Sequence, residues 1–155
     1  MNARTTALSA LIAMRRQNAW ADGALKDDTA RARLDRRDAA LAARLLYGVV
    51  QNRMLLDFYL AQAVASPLTK LQPVVLDILR LGAYQILFLD KIPVSAAVNE
   101  AVEQTKTYAN NRAAGLVNGS LRALARKRGE LAQPHDPATK YSHPQPLVDC
   151  LRTSM

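Results

Sequence analysis

The stretch from Pro73 to Leu89 constrains the fold of this chain more than any other part of its sequence. Drawn as a helix, it is apolar almost all round, and its apolar residues are Val74, Val75, Leu76, Ile78, Leu79, Leu81, Tyr84, Ile86 and Leu87. Asp77, Arg80 and Gln85 interrupt the run, which therefore predicts a buried helix and not a membrane span. A helix with so little polar surface lies in the middle of a fold. Asp77 and Arg80 are three residues apart and are expected to pair at its rim.

Apolar spacing and capping residues predict further helices around this central one. Two of these helices are predicted over 5–19 and 53–64. Three more begin after an N-cap residue: one runs from Asp35 to a break at 51–52, one from Ser95 to 108, and one over 111–128 with Asn110 as its N-cap. Residues 20–34, which include Gly23, are predicted to form a loop. The sequence has no strand alternation and no internal repeat. The expected fold class is therefore all-α.

The length of 155 residues fits one domain. We assign residues 1–128 to a helical domain and residues 129–155 to a linker or approach segment. The stretch 129–145 is rich in Pro, Lys, His and Asp, and a short helical turn is expected over 147–151.

Positive charge is confined to two segments on either side of a neutral middle. Residues 1–53 hold ten basic and five acidic residues, whereas residues 111–128 hold five basic residues and no acid. The formal net charge of the whole chain is +8. Nucleic acid is the usual partner of such a pattern, because cationic side chains release the counterions of phosphates. A basic surface without a partner is the alternative.

The last helix, 111–128, has an apolar stripe and a small, basic opposite face. Projected at about 100° per residue, its buried stripe holds Ala113, Val117, Leu121 and Leu124. The opposite face holds Arg112, Gly115, Gly119, Arg122 and Arg126. Glycines lower this face and arginines reach past it, so a phosphate backbone can approach closely.

The predicted RNA-binding residues come from both ends of the domain: Arg4, Arg15, Arg16, Arg112, Arg122, Arg126 and Lys127. The alternative for Gly115 and Gly119 is close packing of a neighbouring helix. Trp20 and the tyrosines are scattered in the sequence, so no aromatic platform is expected beside the arginines. Contact with the backbone or shape of a structured RNA is expected instead.

No catalytic or metal centre is predicted. Cys150 is the single cysteine, and it has no predicted neighbour that would make it a thiolate. His135 and His143 are interpreted as loop residues and not as metal ligands. We recognise no Gly-rich nucleotide motif and no carboxylate pair for acid–base chemistry. The expected setting is cytoplasmic, with no membrane, no metal and no cofactor bound by this chain.

Four stretches carry a family resemblance, and together with the opening helix they cover nearly the whole chain. They are DRRDAALAARLLYGVVQNRMLLD (35–57), LDILRLGAYQILFLDKIPVSAAVNEAVE (76–103), AAGLVNGSLR (113–122) and YSHPQPLVDCL (141–151). They resemble the helical domain shared by the NusB antitermination factors and the N-terminal part of the bacterial rRNA cytosine-C5 methyltransferases, called RsmB, Sun or Fmu. The middle stretch is the most specific, and the segment at 141–144 resembles the approach to the methyltransferases' catalytic domain.

The resemblance implies a NusB-like helical bundle of two perpendicular three-helix subdomains that binds RNA. In the methyltransferases a separate catalytic domain would bind S-adenosylmethionine through a Rossmann-like fold, and this chain shows no such domain. It is therefore not expected to be an enzyme by itself. The resemblance also marks Asn99, Glu100, Asn118 and Arg122, of which the two asparagines are expected to satisfy backbone groups at helix crossings.

The sequence is compatible with three functions. The first is an RNA-binding domain of an rRNA methyltransferase. The second is a stand-alone antitermination factor that binds RNA with a ribosomal-protein partner. The third is a helical interaction module whose basic face binds an acidic protein.

Overall fold

The computed structural model describes residues 2–17, Gly23 and 33–128. Within these residues the chain forms six α-helices and no strand: α1 (Ala3–Gln17), α2 (Arg36–Gln51), α3 (Arg53–Ala63), α4 (Pro73–Phe88), α5 (Val94–Tyr108) and α6 (Asn111–Lys127). A short 3-10 helix, Leu68–Lys70, lies between α3 and α4. The all-α prediction is confirmed. The predictions made for residues 129–155, including Cys150, His135 and His143, lie outside the described residues.

Helix α4 is the central element of the fold. It packs against each of the other five helices, and it joins α1–α3 to α5 and α6. Ten of its residues are buried, and Ile78 and Leu79 are fully enclosed. Burying such aliphatic side chains stabilises the fold by about 1.5–3 kcal/mol each. The prediction that this apolar helix lies in the middle of the molecule is correct.

Side-chain caps define where three of the helices begin. The Asp38 backbone N–H donates to Asp35 Oδ1 at 2.8 Å, and the Ala113 N–H donates to Asn110 Oδ1 at 2.8 Å, as the sequence predicted for both caps. Helix α1 begins earlier than predicted because the Thr5 N–H donates to Asn2 Oδ1 at 2.8 Å.

Two local predictions are wrong. Ser95 is not an N-cap, because α5 already begins at Val94, and Pro93 precedes it with extended backbone and no side-chain cap. The fixed backbone angle of proline sets the entry to this helix in place of a hydroxyl cap. Gly23 has helical backbone although a loop was predicted over 20–34, whereas 33–34 are non-helical as predicted and the rest of that stretch lies outside the described residues. Glycine lowers helix propensity without forbidding the helix.

The expected Asp77–Arg80 ion pair is present, but its acid does not lie at an exposed rim of α4. Asp77 is buried, at 4% exposure, and Arg80 Nη1 lies 3.6 Å from Asp77 Oδ1. The shorter bonds of Arg80 reach α3, where Nε and Nη2 donate to the two carboxylate oxygens of Asp57 at 2.8 and 2.9 Å. This two-bond pair fixes α4 against α3, because both oxygens of the carboxylate are held at once.

Candidate nucleic-acid interface

The seven predicted RNA-binding residues lie on α1 and α6, and most of them face solvent. Six are exposed: Arg15, Arg16, Arg112, Arg122, Arg126 and Lys127. Arg4 is half-buried. The surface is therefore cationic at both ends of the described chain, as the sequence predicted, and the hydrogen bonds determine which cations lie together.

The first helix and the end of the last helix meet at the C-terminal turn of α4. Arg4 Nε donates to Gln85 Oε1 at 2.6 Å, and Arg128 Nη1 donates to the Ile86 carbonyl oxygen at 3.1 Å. Gln85 itself is buried and donates through Nε2 to the Leu81 carbonyl at 3.0 Å, so the amide that receives Arg4 is fixed. Two cations that are far apart in sequence are thus held on successive residues of one helix.

Arg128 was missing from the predicted set. It follows the last helical residue, and nothing in its sequence position indicates a contact with α4, 42 residues earlier in the chain. The last carbonyl groups of a helix lack partners within the helix and attract cations, which explains why Arg128 binds at the C-terminal end of α4. Its position directly after Lys127 is the one sequence signal that would have added Arg128 to the predicted set.

Arg15 lies elsewhere and has an acidic partner. Its Nε is 3.2 Å from Asp77 Oδ2, on the N-terminal half of α4. Asp77 precedes Gln85 by eight residues, which corresponds to about 12 Å along a helix axis. Burial raises the pKa of the Asp77 carboxyl, while Arg15 and Arg80 oppose that shift. The structure therefore does not bring Arg15 together with Arg4.

The exposed face of α6 matches the predicted one. Arg112, Gly115, Gly119, Arg122 and Arg126 are all exposed. Val117, Leu121 and Leu124 are buried as predicted, together with Ala114 and Ser120, whereas Ala113 is only half-buried.

Open space lies beside both glycines on that face. No heavy atom of a neighbouring element would come within 4 Å of a Cβ atom added to Gly115 or Gly119. In the part of the chain that the structure describes, the two glycines therefore serve no helix packing, which had been the alternative to an open, basic face.

An open groove between α5 and α6 contains the two motif asparagines. Its lining includes Asn99 and Glu103 from α5 and Gly115 and Asn118 from α6. Asn118 Oδ1 accepts a hydrogen bond from Arg122 Nε at 2.8 Å. Among the described residues neither asparagine side chain bonds to a backbone group, so their expected role at helix crossings is wrong. Asn118 instead orients the Arg122 guanidinium on the exposed face.

Glu100, the third motif residue, holds the start of α1 against α5. Its Oε1 accepts from Asn2 Nδ2 at 2.8 Å and from Thr5 Oγ1 at 3.4 Å. These bonds fix the first turn of α1, which carries Arg4. The acidic residue thus positions a basic one without pairing with it.

An aromatic pair lies near the C-terminal end of α4. The rings of Tyr84 and Phe88 stack with their centroids 5.3 Å apart and an interplanar angle of 25°. Their i, i+4 spacing was visible in the sequence, since such residues are neighbours on a helix surface. What the sequence did not show is that Arg4 and Arg128 bind the two residues that follow Tyr84.

Among the described residues, no three His, Cys, Asp or Glu side chains are grouped so that they would hold a metal ion. None of the described helices combines the length and the apolar character needed to cross a bilayer.

Comparison with known proteins gives matches over most of the chain. The model of the NusB family matches residues 1–126. The probable ribosomal RNA small subunit methyltransferase B of Bacillus subtilis is 37% identical over 150 residues, which cover 94% of this chain and 33% of the relative. The transcription antitermination protein NusB of Ruminiclostridium cellulolyticum is 35% identical over 111 residues, 71% of this chain and 72% of the relative.

The fold also matches a solved structure of antitermination factors NusB and NusE in complex with dsRNA. The TM-score is 0.73 at 22% identity, and the match covers 80% of this chain and 93% of that one. The chain spans about a third of the length of the methyltransferase relative. The family match and the fold lead to one conclusion: this chain belongs to the NusB family.

Proposed function

We propose that this chain is the RNA-binding domain of an rRNA cytosine-C5 methyltransferase and transfers no methyl group by itself. The observation that carries the RNA-binding part is the arrangement of cations. Arg4 and Arg128 bind successive residues near the end of α4, and α6 presents Arg112, Arg122 and Arg126 on an open face. Side chains of this kind neutralise phosphates, and open glycines let a backbone come close.

The methyltransferase context is supported by how far the matches extend. The match to the methyltransferase relative covers 94% of this chain and therefore includes residues beyond 128. The match to the NusB relative covers 71% of this chain. The segment after the helical domain therefore has a counterpart in the methyltransferase relative. S-adenosylmethionine is expected to bind outside this chain, because the described residues form helices only and offer no strand followed by a Gly-rich loop. We expect the protein to act in the cytoplasm, where rRNA is processed.

Titration of the chain with small-subunit rRNA fragments at several salt concentrations tests the proposal. With four to six phosphate contacts, the logarithm of the affinity is expected to fall with the logarithm of the salt concentration with a slope of roughly −3 to −5. Binding to an acidic protein and not to RNA would support the interaction-module alternative. Absence of RNA binding at about 50 mM salt would contradict the proposal.

A NusB-type antitermination factor is the second candidate. It is favoured by the relative from Ruminiclostridium cellulolyticum, which the chain matches over 72% of its length. Such a factor would bind RNA together with a ribosomal protein. The two candidates are distinguished by whether the natural gene product binds S-adenosylmethionine, and by whether a ribosomal protein raises the affinity of this chain for RNA.

A further inference from the structure

Phe88 combines exposure with rigid support. Phe88 is 39% exposed to solvent, whereas Tyr84, whose ring stacks on that of Phe88, is only 9% exposed. Tyr84 lies directly over Gly48 of α2, so its ring is wedged between two helices. Phe88 is thus an aromatic ring with one side fixed by a buried neighbour and part of its surface open to solvent.

Two arginine side chains are bound to the helical turn that ends at Phe88. Gln85, which binds Arg4, is three residues before Phe88 and therefore its neighbour on the helix surface. Arg128 binds the carbonyl of Ile86 in the same helical turn. The exposed Lys91 lies in the non-helical turn that follows α4. Within 85–91 Asp90 is the one acid and Lys91 the one cation, so the two bound arginines leave this end of α4 with a net positive charge.

An exposed aromatic ring among cations is suited to one kind of ligand. An unpaired nucleobase stacks on an aromatic ring through its π-face, and the phosphates on either side of it bind the flanking cations. A paired base offers no free face for such stacking, because its neighbours in the duplex already cover it. An aromatic ring flanked by cations is therefore suited to single-stranded and not to double-stranded RNA.

We propose that Phe88 is a stacking platform for an unpaired base of the bound RNA, with Arg4, Arg128 and Lys91 contacting the adjoining phosphates. This inference rests on the proposed RNA-binding function and specifies its ligand as a single-stranded segment or loop. Tyr84 and Gly48 position the platform and do not themselves contact the base.

The test compares two RNAs of the same sequence, one single-stranded and one fully paired. Phe88→Ala is expected to lower the affinity for the single strand by about tenfold and to leave the affinity for the duplex unchanged. Phe88→Tyr keeps a ring and is expected to bind both RNAs as the wild type does. Tyr108→Ala, which removes another exposed aromatic residue, is the matched control and should leave the preference unchanged.

A second measurement does not depend on a loss of affinity. Phe88→Trp places an indole on the platform, and its fluorescence, taken as the difference from the wild type with Trp20, is expected to be quenched by the single strand only. Thermal melting of each variant shows whether the domain remains folded.

The possible results separate the two proposals. If the wild type binds neither RNA, the proposed function fails. If the wild type binds RNA and Phe88→Ala weakens neither complex, or weakens both equally, RNA binding stands and the platform is refuted. In that case the exposed ring is better explained as a surface for a protein partner.

Discussion

The ring of Tyr84 occupies the space over Gly48 in which any other residue would place its Cβ atom. The atoms nearest to that position are Cζ, Oη and Cε1 of Tyr84, so α2 and α4 approach closely where they cross. Tyr84 also stacks on Phe88, and the contact therefore connects the packing of the core to the proposed RNA platform.

Gly48→Ala is expected to destabilise the domain by about 1–3 kcal/mol, because the added methyl group must displace the ring or separate the helices. Gly119→Ala is the matched control: it also lies within a helix but meets open space, and alanine favours a helix by about 1 kcal/mol over glycine. Urea unfolding followed by circular dichroism measures both changes. A Gly48→Ala variant as stable as the wild type would show that the close approach is not needed.

Leu79→Asp is expected to unfold the chain. Leu79 is fully buried in the central helix, and a carboxylate there would have no partner, which costs several kcal/mol. Ala61→Asp introduces the same group at an exposed position of α3 and should leave the melting cooperative. Thermal melting compares the two variants, and an unchanged melting temperature for Leu79→Asp would be inconsistent with a buried α4.

The double variant Arg122→Glu with Arg126→Glu is expected to weaken RNA binding severalfold and leave the fold intact. Both residues are exposed on α6, and reversing their charge replaces attraction to phosphate with repulsion. Arg37→Glu with Lys70→Glu changes the net charge equally at exposed positions outside the predicted set. Titrations at two salt concentrations separate a local effect from a general one. Equal losses in both double variants would mean that overall charge, and not the α6 face, determines the affinity.

Asp77 is expected to make the stability of the domain depend on pH. Burial raises the pKa of its carboxyl above the ordinary value of 3.8, with Arg15 and Arg80 acting in the opposite direction. The folded chain then binds this proton more tightly than the unfolded chain does. Its contribution to stability is fully present below pH 3.8 and is lost as the pH rises through the pKa of the folded state.

Asp77→Asn removes this titration. The stability of the wild type, measured relative to Asp77→Asn by urea unfolding from about pH 3 to about pH 7, should therefore fall with rising pH and then level off. A relative stability that rises with pH would mean that the two arginines outweigh burial.

The helices could be predicted from the sequence because their signals are local. The apolar circumference of α4 and the caps at Asp35 and Asn110 depend on residues within one or two turns. Ser95 failed as a cap because Pro93, two residues earlier, already sets the start of α5. The exposed face of α6 followed from helical periodicity for the same local reason.

The partners of the cations could not be predicted in this way. Arg15 binds Asp77 across 62 residues, and Arg4 binds Gln85 across 81. No short-range pattern distinguishes these two arginines, although one is paired with a buried carboxylate and the other with a neutral amide. Only the packing of α1 on α4 decides which of the two cations has an acidic partner among the described residues.

The bond from Arg128 to the Ile86 carbonyl has a consequence for whatever is joined to this domain. It holds Arg128, the residue that follows α6, at Ile86, which is one residue after the Gln85 that binds Arg4 and two residues before Phe88. Any unit joined to the chain after residue 128 would therefore be tethered at this end of α4, and a short tether raises the effective concentration of one binding module at the other's site. The length of that tether would then determine how often the joined unit meets a ligand bound at this end of α4.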